Sequence, residues 1–383
     1  MKRAEVYIHI PFCVKKCDYC DFLSFSMNEE ARKEYLGMLL SEIRTCAWAT
    51  EGIFVPTIFI GGGTPSLLSG VEIAEILEAV RDTFEVAEDA EITIEANPGT
   101  VTYEKLLAYR QAGINRISFG LQSAQEKELQ LLGRIHTYEE FLKSYRMARE
   151  AGFTNINVDL MNGLPGQSLE SYQDTLLKVC ALAPEHISAY SLMIEEETPF
   201  YERYAEDEKK RAKGEKPQML PSEEEERAMD AMTQRILEEA GYERYEISNY
   251  AKPGYACKHN LGYWTRENYI GFGLGAASLF DNVRYTNKDS LWLYMHGENR
   301  KTAEVIDEQG QMEEFMFLGL RKTKGVSKKC FKNTFQCSME EVYGEVLKAL
   351  EEKALICQEQ DWVRLTPRGR DVSNVVLAEF LIS

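Results

Sequence analysis

The first half of this 383-residue chain alternates short apolar runs with longer amphipathic stretches. Strands that alternate with helices form βαβ units, in which the strands are parallel and the helices cover the sheet. Six such units in about 195 residues predict an α/β fold, an open six-stranded (β/α)6 partial barrel. The candidate strands are Val6–Ile10, Thr57–Ile60, Glu91–Ala96, Asn115–Phe119, Asn155–Leu160 and His186–Met193; the candidate helices are Glu29–Thr50, Gly70–Phe84, Tyr103–Ala112, Thr137–Ala151 and Ser168–Leu182.

The second half changes character after Tyr201. Residues 202–216 are densely charged and two prolines follow, which indicates a solvated linker before a helix over Ser222–Ala240; a charged helical face fits the same residues equally well. Beyond that helix the chain is rich in Tyr, Asn and Gly up to about Arg284. This composition favours loops that pack on the barrel.

The last part of the chain predicts a separate small module. Helical patterns at Met312–Leu320 and Met339–Lys353 precede a strand at Trp362–Thr366 and a last helix at Pro367–Leu381, which together indicate a winged-helix-like α+β module. We therefore expect three parts: a barrel over residues 1–205, a linker helix and aromatic region over 206–309, and a C-terminal module over 310–383.

Composition limits the classes of function. The formal net charge of −18 argues against a nonspecific nucleic-acid surface, because polyanions are attracted by basic patches. The run Val6–Phe12 is too short for a secretory signal, and no run approaches the ~18 apolar residues of a membrane helix. Nine cysteines without such a signal indicate thiols or a metal site in a reducing compartment. We expect a cytoplasmic protein without a transmembrane segment or a nucleic-acid partner.

Three cysteines, Cys13, Cys17 and Cys20, follow the first candidate strand with the spacing C-x3-C-x2-C. Three thiolates can hold three irons of a [4Fe–4S] cluster and leave the fourth iron open to another ligand. Structural cysteines and a zinc site are the alternatives, but zinc sites are normally closed by four ligands. The spacing therefore favours a cluster with one open iron.

Polar or glycine-rich residues follow the other candidate strands. The turn Gly61-Gly62-Gly63-Thr64-Pro65 lets the backbone approach a ligand closely and adds a hydroxyl. A carboxylate can accept hydrogen bonds from ribose hydroxyls, and a guanidinium can hold a carboxylate with two hydrogen bonds. Ligands of parallel α/β sheets bind at the carboxyl ends of the strands, where these residues are expected to lie. The candidate side chains are Glu95, Gln122, Arg134 and Asp159.

A second candidate site is the segment His259-Asn260-Leu261-Gly262-Tyr263-Trp264. It offers an imidazole for iron and two rings for the flat face of a porphyrin. Cys257, two residues earlier, is a competing thiolate ligand. The alternative is an aromatic turn that packs on the mouth of the barrel, and from the chemistry of the residues alone that alternative is favoured.

The cysteine spacing, with Tyr19 before the last cysteine, resembles the radical S-adenosylmethionine (SAM) superfamily. The Gly-Gly-Gly-Thr-Pro turn is similar to the variant found in oxygen-independent coproporphyrinogen oxidases and their relatives. The resemblance implies a radical-SAM partial barrel, a [4Fe–4S] cluster on the three cysteines, and SAM on its open iron. It also implies these cofactor-binding residues: Tyr7, Tyr19, Gly62, Gly63, Thr64, Glu95, Gln122, Arg134 and Asp159.

The His-Asn-x-x-Tyr-Trp segment resembles the signature of the HemW-type heme chaperones, relatives of the same oxidases. Two departures from the oxidase pattern agree with it. Phe22 stands where the oxidases have a fourth cysteine, and only twelve residues precede Cys13, where the oxidases have a long extension. The resemblance implies heme binding at His259, Tyr263 and Trp264.

The chaperone interpretation implies heme, an electron donor and an unidentified acceptor protein, such as a respiratory enzyme that would bring the chain to a membrane surface. Two enzyme interpretations stay open. An oxygen-independent coproporphyrinogen III oxidase would decarboxylate two propionates by radical chemistry, and a radical-SAM tetrapyrrole methyltransferase would use the same site. Cleavage of SAM fits each of these interpretations, whereas the missing fourth cysteine argues against an active coproporphyrinogen oxidase.

Overall fold

The structure, a computed structural model, describes residues 1–46, 52–297 and 303–382. All six predicted strands are present in the predicted order, and after a short β1 (Lys2–Arg3) they are β2 (Glu5–Ile10), β3 (Ile53–Gly62), β4 (Glu85–Ala96), β5 (Arg116–Gln122), β6 (Ile156–Asn162) and β7 (His186–Ser191). The helices that accompany them are α1 (Glu29–Arg44), α2 (Gly70–Thr83), α3 (Tyr103–Ala112), α4 (Glu126–Leu131), α5 (Tyr138–Glu150) and α6 (Leu169–Leu182). The predicted end of the first helix, at Thr50, lies outside the described residues.

The barrel strands alternate between two chemically different faces. In β2, Val6, Ile8 and Ile10 are fully buried and belong to the main hydrophobic core, whereas Tyr7 and His9 lie on the other face. Because successive side chains of a strand point to opposite faces, one face packs under the helices and the other lines the lumen. On β2, polar side chains therefore face the lumen of the barrel.

Local signals fix where the helices begin and end. Ser69, Thr137 and Ser168 each form a capping box at the start of a helix, with the side chain accepting from the third helical N–H. At the end of α3, Gly113 adopts a left-handed conformation with φ 112°. These caps define the ends of the helices that cover the sheet.

The sheet is larger than the predicted six strands. β10 (Tyr269–Phe272) pairs in parallel with β2, and β9 (Asn249–Ala251) pairs antiparallel with β7, so the middle region extends both edges of the barrel. The remaining elements of this region are α8 (Glu223–Glu239), β8 (Glu243–Arg244), α9 (Lys258–Trp264), β11 (Ala277–Phe280), β12 (Val283–Thr286), α10 (Leu291–Met295) and β13 (Glu304–Val305).

The predicted linker over residues 202–216 is wrong for most of its length. The helix α7 (Pro199–Ala212) begins after the cap Thr198, whose side chain accepts from the Tyr201 N–H. Ion pairs one turn apart, such as Arg211 with Glu208, stabilise its charged face. The helical alternative that the sequence left open is therefore the observed one. The boundary expected after residue 205 falls inside this helix.

The C-terminal module has the predicted α+β character and its own hydrophobic core. Its antiparallel sheet has the order β14–β16–β15, and the helix–strand–helix–helix–strand–strand sequence is winged-helix-like. The boundary expected after residue 309 falls in its first helix, so the division of the chain stays a prediction. Its elements are α11 (Glu308–Gly319), β14 (Val326–Ser327), α12 (Lys328–Phe335), α13 (Met339–Glu352), β15 (Ile356–Glu359), β16 (Trp362–Leu365), α14 (Pro367–Asp371) and α15 (Ser373–Ala378).

In the part of the chain that the structure describes, none of the helices combines the length and the apolar character needed to cross a membrane.

Candidate functional site

A cavity of about 500 Å³ opens at the carboxyl ends of the barrel strands. Volumes of this size suit small-molecule and cofactor sites. The three cysteines line it from the loop after β2, and the opposite wall is formed by the ends of the other strands. The cavity brings together all but one of the predicted cluster and SAM residues: Cys13, Cys17, Cys20, Tyr19, Gly62, Gly63, Thr64, Glu95, Gln122, Arg134 and Asp159.

The three cysteines are free thiols held by the sheet edge. Cys13 Sγ lies 3.5 Å from Thr64 Oγ1, and Arg134 Nη1 donates to Cys17 Sγ at 3.5 Å. Burial raises the pKa of Cys20 to about 11, and the neighbouring Cys17 adds to this, so without a ligand the Cys20 thiol is protonated at neutral pH.

The three cysteines lie in one loop and line one cavity. Each cysteine of a [4Fe–4S] cluster binds a different iron, so three thiolates would leave the fourth iron open to a ligand. Their assignment to a cluster stays a prediction.

The glycine turn after β3 is closed to any larger residue. Gly62 has a φ of 109°, and a Cβ on Gly63 would lie 2.7 Å from the Phe12 carbonyl oxygen. The Gly62 N–H donates to Glu95 Oε2 at 2.9 Å. Glycine is required here because the turn packs directly against the cysteine loop.

Two carboxyl groups, Glu95 and Asp159, lie in the wall of the cavity. Asp159 accepts hydrogen bonds from Ser118 Oγ at 3.0 Å and from Asn157 Nδ2 at 2.7 Å. Burial raises the pKa of Glu95 to about 8, with a further contribution from the charge of Asp159. Burial also raises the pKa of Asp159, against the effect of its hydrogen bonds. A cationic ligand or hydroxyl donors in the cavity would stabilise the ionised form of both carboxyl groups.

Arg134 links the cysteine loop to the sheet. Its Nη2 donates to Asn97 Oδ1 at 2.7 Å and to the Gly120 carbonyl at 2.5 Å, and Asn97 Nδ2 donates to Thr64 Oγ1 at 2.9 Å. Within the described residues, the buried Nε of Arg134 has no hydrogen-bond partner. A guanidinium held by other contacts, with one donor left over, can bind a ligand carboxylate.

Two residues of the site escaped the sequence analysis. Asn97 connects Arg134 with Thr64, and Tyr190 donates from its hydroxyl to Gln122 Oε1 at 2.9 Å. Gln122 itself has a φ of 70°, which is uncommon for a residue other than glycine and is frequent at functional sites. Asn97, two residues after Glu95, could have been found from the Glu-Ala-Asn-Pro run; Tyr190 gives no comparable signal.

Tyr7 is the exception among the predicted SAM residues, because it does not line the cavity. It lies in the lumen, where its ring stacks on Phe59 and its hydroxyl is 3.0 Å from His9 Nδ1. Its assignment as a SAM contact stays a prediction.

The His-Asn-x-x-Tyr-Trp segment forms α9, and the structure places it at the opposite end of the barrel. His259 lies beside Thr57 and Glu5, and Glu5 is the first residue of β2. The segment packs on the barrel as expected, but α9 closes the amino end of the lumen and does not lie at the mouth. The reason is that β9 runs antiparallel to β7, so it returns the chain to the amino end of the barrel before α9 begins.

His259 is 1% exposed and fully occupied by neighbours. Its Nδ1 is 2.8 Å from Thr57 Oγ1, its Nε2 is 3.2 Å from the Tyr263 hydroxyl, and its ring stacks on Phe59. Burial lowers the pKa of His259 to about 3, so the ring is neutral. Its assignment to heme stays a prediction, and it requires α9 to leave the barrel.

The neighbours of His259 in the segment are equally enclosed. Cys257 is fully buried, its thiol donates to Glu91 Oε1 at 3.4 Å, and burial raises its pKa to about 12. Trp264 faces the C-terminal module, where the Arg321 guanidinium lies 4.4 Å from its ring centre. In this arrangement the segment joins the barrel to the C-terminal module.

Two family models match the chain. That of the Radical SAM superfamily matches residues 7–179, and that of the HemN C-terminal domain matches residues 306–372. The chain is 40% identical to the heme chaperone HemW of Bacillus subtilis over 388 residues, which cover 100% of this chain and 99% of that protein. It is 35% identical to the heme chaperone HemW of Lactococcus lactis over 384 residues, which cover 100% of this chain and 98% of that protein.

A solved structure shares the whole fold. Coproporphyrinogen III oxidase (HemN) from Escherichia coli, described as a radical SAM enzyme, is similar with a TM-score of 0.83 over 99% of this chain and 90% of that chain. The two sequences are 23% identical, so the likeness concerns the fold. It confirms the α/β partial barrel with a small C-terminal module.

Proposed function

The chain belongs to the HemW family within the radical SAM superfamily, and from that membership we propose that it is a heme chaperone, which binds heme and passes it to an acceptor protein. The observation that carries the proposal is similarity to proteins named heme chaperone HemW along the entire chain, from the cysteine loop to the C-terminal module. The acceptor is unidentified, and we propose a heme-dependent enzyme such as a respiratory enzyme.

The cofactor site supports a role for SAM in that function. Cys13, Cys17 and Cys20 would hold a [4Fe–4S] cluster, which would offer an open iron to SAM and would supply an electron received from a donor protein. Arg134 offers a free N–H to a carboxylate, and Glu95 offers a carboxyl group to the cationic part of the ligand. We propose that occupancy of this site controls when heme is released.

Oxidation of coproporphyrinogen is the second candidate, because the chain has the fold of HemN. Phe22 argues against it, since it stands at the position of the fourth cysteine that the resemblance assigns to the oxidases. The SAM side of the site retains its predicted residues, so SAM binding fits either candidate.

Anaerobic reconstitution followed by two parallel assays separates the candidates. Heme titration of the full chain should give a saturable shift of the Soret band, while incubation with coproporphyrinogen, SAM and a reductant should give no protoporphyrinogen. Robust conversion without saturable heme binding would replace the chaperone by the oxidase.

The cluster assignment has its own test. Replacing Cys13, Cys17 and Cys20 together by Ala should remove the brown colour and leave the far-UV circular dichroism unchanged, because the thiols are not part of the hydrophobic core. The parent should hold about four irons per chain after reconstitution. Cys330→Ala, at an exposed cysteine of the C-terminal module, is the matched control. A triple variant that still holds the parent's iron would refute the assignment.

A further inference from the structure

Large apolar side chains are exposed around the mouth of the barrel cavity. Phe22 is 59% exposed and Met193 is 65% exposed, and both line the cavity. Val14 and Ile135, also exposed, line a small recess beside Cys17. Single exposed apolar residues are ordinary on protein surfaces, but a group of them around one opening marks a binding surface.

Two lysines stand among these apolar residues. Lys15 and Lys16 belong to the cysteine loop, line the same cavity and are exposed. Asp21 and Glu195 line it as well, so the rim carries both signs of charge. Lys15 and Lys16 stand between the first two cysteines, where their exposed ammonium groups are available to an anion.

The opposite end of the barrel offers no comparable surface. There, α9 fills the lumen, both ring nitrogens of His259 have partners, and Cys257 is fully buried. A flat ligand of the size of a porphyrin would have to displace this helix. The cavity mouth needs no such rearrangement, because its apolar side chains are already exposed.

We propose that heme lies across the mouth of the barrel cavity, with its ring on Phe22 and Met193 and its propionates on Lys15 and Lys16. The proposal rests on the proposed function, namely that the chain binds heme. It follows from the chemistry of the ligand, a flat apolar ring with two carboxylates at one edge. An aromatic ring and a thioether suit the apolar face, and ammonium groups suit the carboxylates.

This position gives the cluster site a direct connection to heme. Phe22 follows Cys20 by two residues, so a ring on Phe22 covers the opening above the three cysteines. A covered opening restricts the access of water and of SAM to the cavity. Heme binding and SAM binding are then coupled, and by thermodynamic reciprocity each changes the affinity for the other by the same factor.

Heme titration of the reconstituted full-length protein tests the site. Phe22→Ala combined with Met193→Ala, and separately Lys15→Glu combined with Lys16→Glu, should each weaken heme binding by about tenfold or more. Leu177→Ala and Lys348→Glu are matched controls on exposed faces of α6 and α13 and should bind heme like the parent. Iron content and the cluster absorption show whether a variant of the cysteine loop still holds its cluster. Met193→Glu, on the other wall, repeats the test without altering that loop.

The outcomes separate three possibilities. If the parent itself does not bind heme, the proposed function fails. If the parent binds heme, the rim variants bind it equally well and His259→Ala does not, the site is at α9 and the present proposal is overturned. If the rim variants bind heme normally but no longer transfer it, the apolar rim is a docking surface for the acceptor, and the proposal is again overturned.

Discussion

Glu95 and Asp159 are carboxyl groups in one wall of a cavity from which much of the solvent is excluded. Without a ligand, each disfavours the charge of the other, and burial disfavours both charges. A ligand with a sulfonium and an ammonium group reverses this balance, because the ionised carboxyl then has a cationic partner. In the free protein the raised pKa of Glu95 relieves the repulsion by protonation, and a cationic ligand favours the ionised carboxyl instead.

The first prediction concerns the pH dependence of SAM binding. The pKa of Glu95 is raised to about 8, so the carboxyl is mostly protonated at pH 7 in the free protein and must lose that proton to pair with a cation. SAM affinity of the cluster-loaded protein should therefore rise between pH 7 and pH 9, by at most about tenfold per unit.

Anaerobic calorimetry on the parent and on Glu95→Gln measures this effect. The variant lacks the titrating group, so its SAM affinity should change less with pH than that of the parent. The amino group of SAM also titrates, but it contributes equally to both proteins. The difference between the two profiles is therefore the contribution of Glu95. Parallel profiles would show that Glu95 keeps the same protonation state when SAM binds.

For single residues, the position along a predicted strand was a better guide to the cavity site than the residue type. Glu95 and Asp159 could be predicted, because polar residues towards the carboxyl ends of parallel strands converge at one edge. Arg134 follows α4 and not a strand, so only the resemblance pointed to it. The position of His259 could not, because its sequence signature does not tell at which end of the barrel the segment packs. Only the path through β9 decides that.

The element that ties the molecule together is α9. On its inner side, Gly262 packs against the Glu5 carboxyl and His259 packs on Phe59. On its outer side, Trp264 carries the Arg321 guanidinium of the C-terminal module. A helix of seven residues would be marginal alone, so its stability comes from these two contacts.

The second prediction follows from the inner contact. A Cβ at position 262 would overlap the carboxyl group of Glu5, which is 2% exposed and has little room to move. Gly262→Ala should lower the free energy of unfolding by about 1–3 kcal/mol, the usual cost of overpacking. Chemical unfolding followed by circular dichroism measures it.

The matched control, Gly344→Ala, should change the free energy of unfolding in the opposite direction. A Cβ at Gly344, inside α13, would meet no atom within 4 Å. Gly344→Ala should raise the free energy of unfolding by up to about 1 kcal/mol, because alanine loses less backbone entropy in a helix. In the double variant Glu5→Ala with Gly262→Ala, the second substitution should cost less than it does alone. Equal costs would mean that the overlap with Glu5 is not the cause.

Elements with a regular pattern were predictable from the sequence, and irregular ones were not. The barrel strands have continuous apolar faces, and α3 begins and ends where its pattern indicates, at Tyr103 and Ala112. The helix α7 was hard to predict because most of its residues are charged. Its few apolar residues give only a weak helical pattern. The short β9 and β10 gave no signal, since strands of three or four residues acquire their pairing from the rest of the sheet.

The whole molecule has a large core in and around the barrel and a separate core in the C-terminal module. Between them, Glu314 of α11 accepts from Arg266 Nε and from Arg284 Nη2, both at 2.6 Å. Both arginines belong to the middle region, which adds strands to the barrel sheet. Glu314 therefore joins the module to the extended barrel by a buried ion pair with two partners, beside the contact of Trp264 with Arg321.

The third prediction is that this ion pair holds the module in place. The Glu314 side chain is 6% exposed, and its loss leaves Arg266, 14% exposed, without its carboxylate. Breaking a buried pair costs about 3–5 kcal/mol, and because Arg284 is one-third exposed, we expect about 2–4 kcal/mol for Glu314→Ala.

Glu345→Ala, at an exposed position of α13, is the control and should change the free energy of unfolding by less than about 0.5 kcal/mol. Tryptophan fluorescence, to which Trp264 beside Arg321 contributes, should change at lower denaturant in the Glu314 variant, and limited proteolysis should release the module. If Glu314→Ala and Glu345→Ala unfold alike, the module is held by its apolar contacts and not by this ion pair.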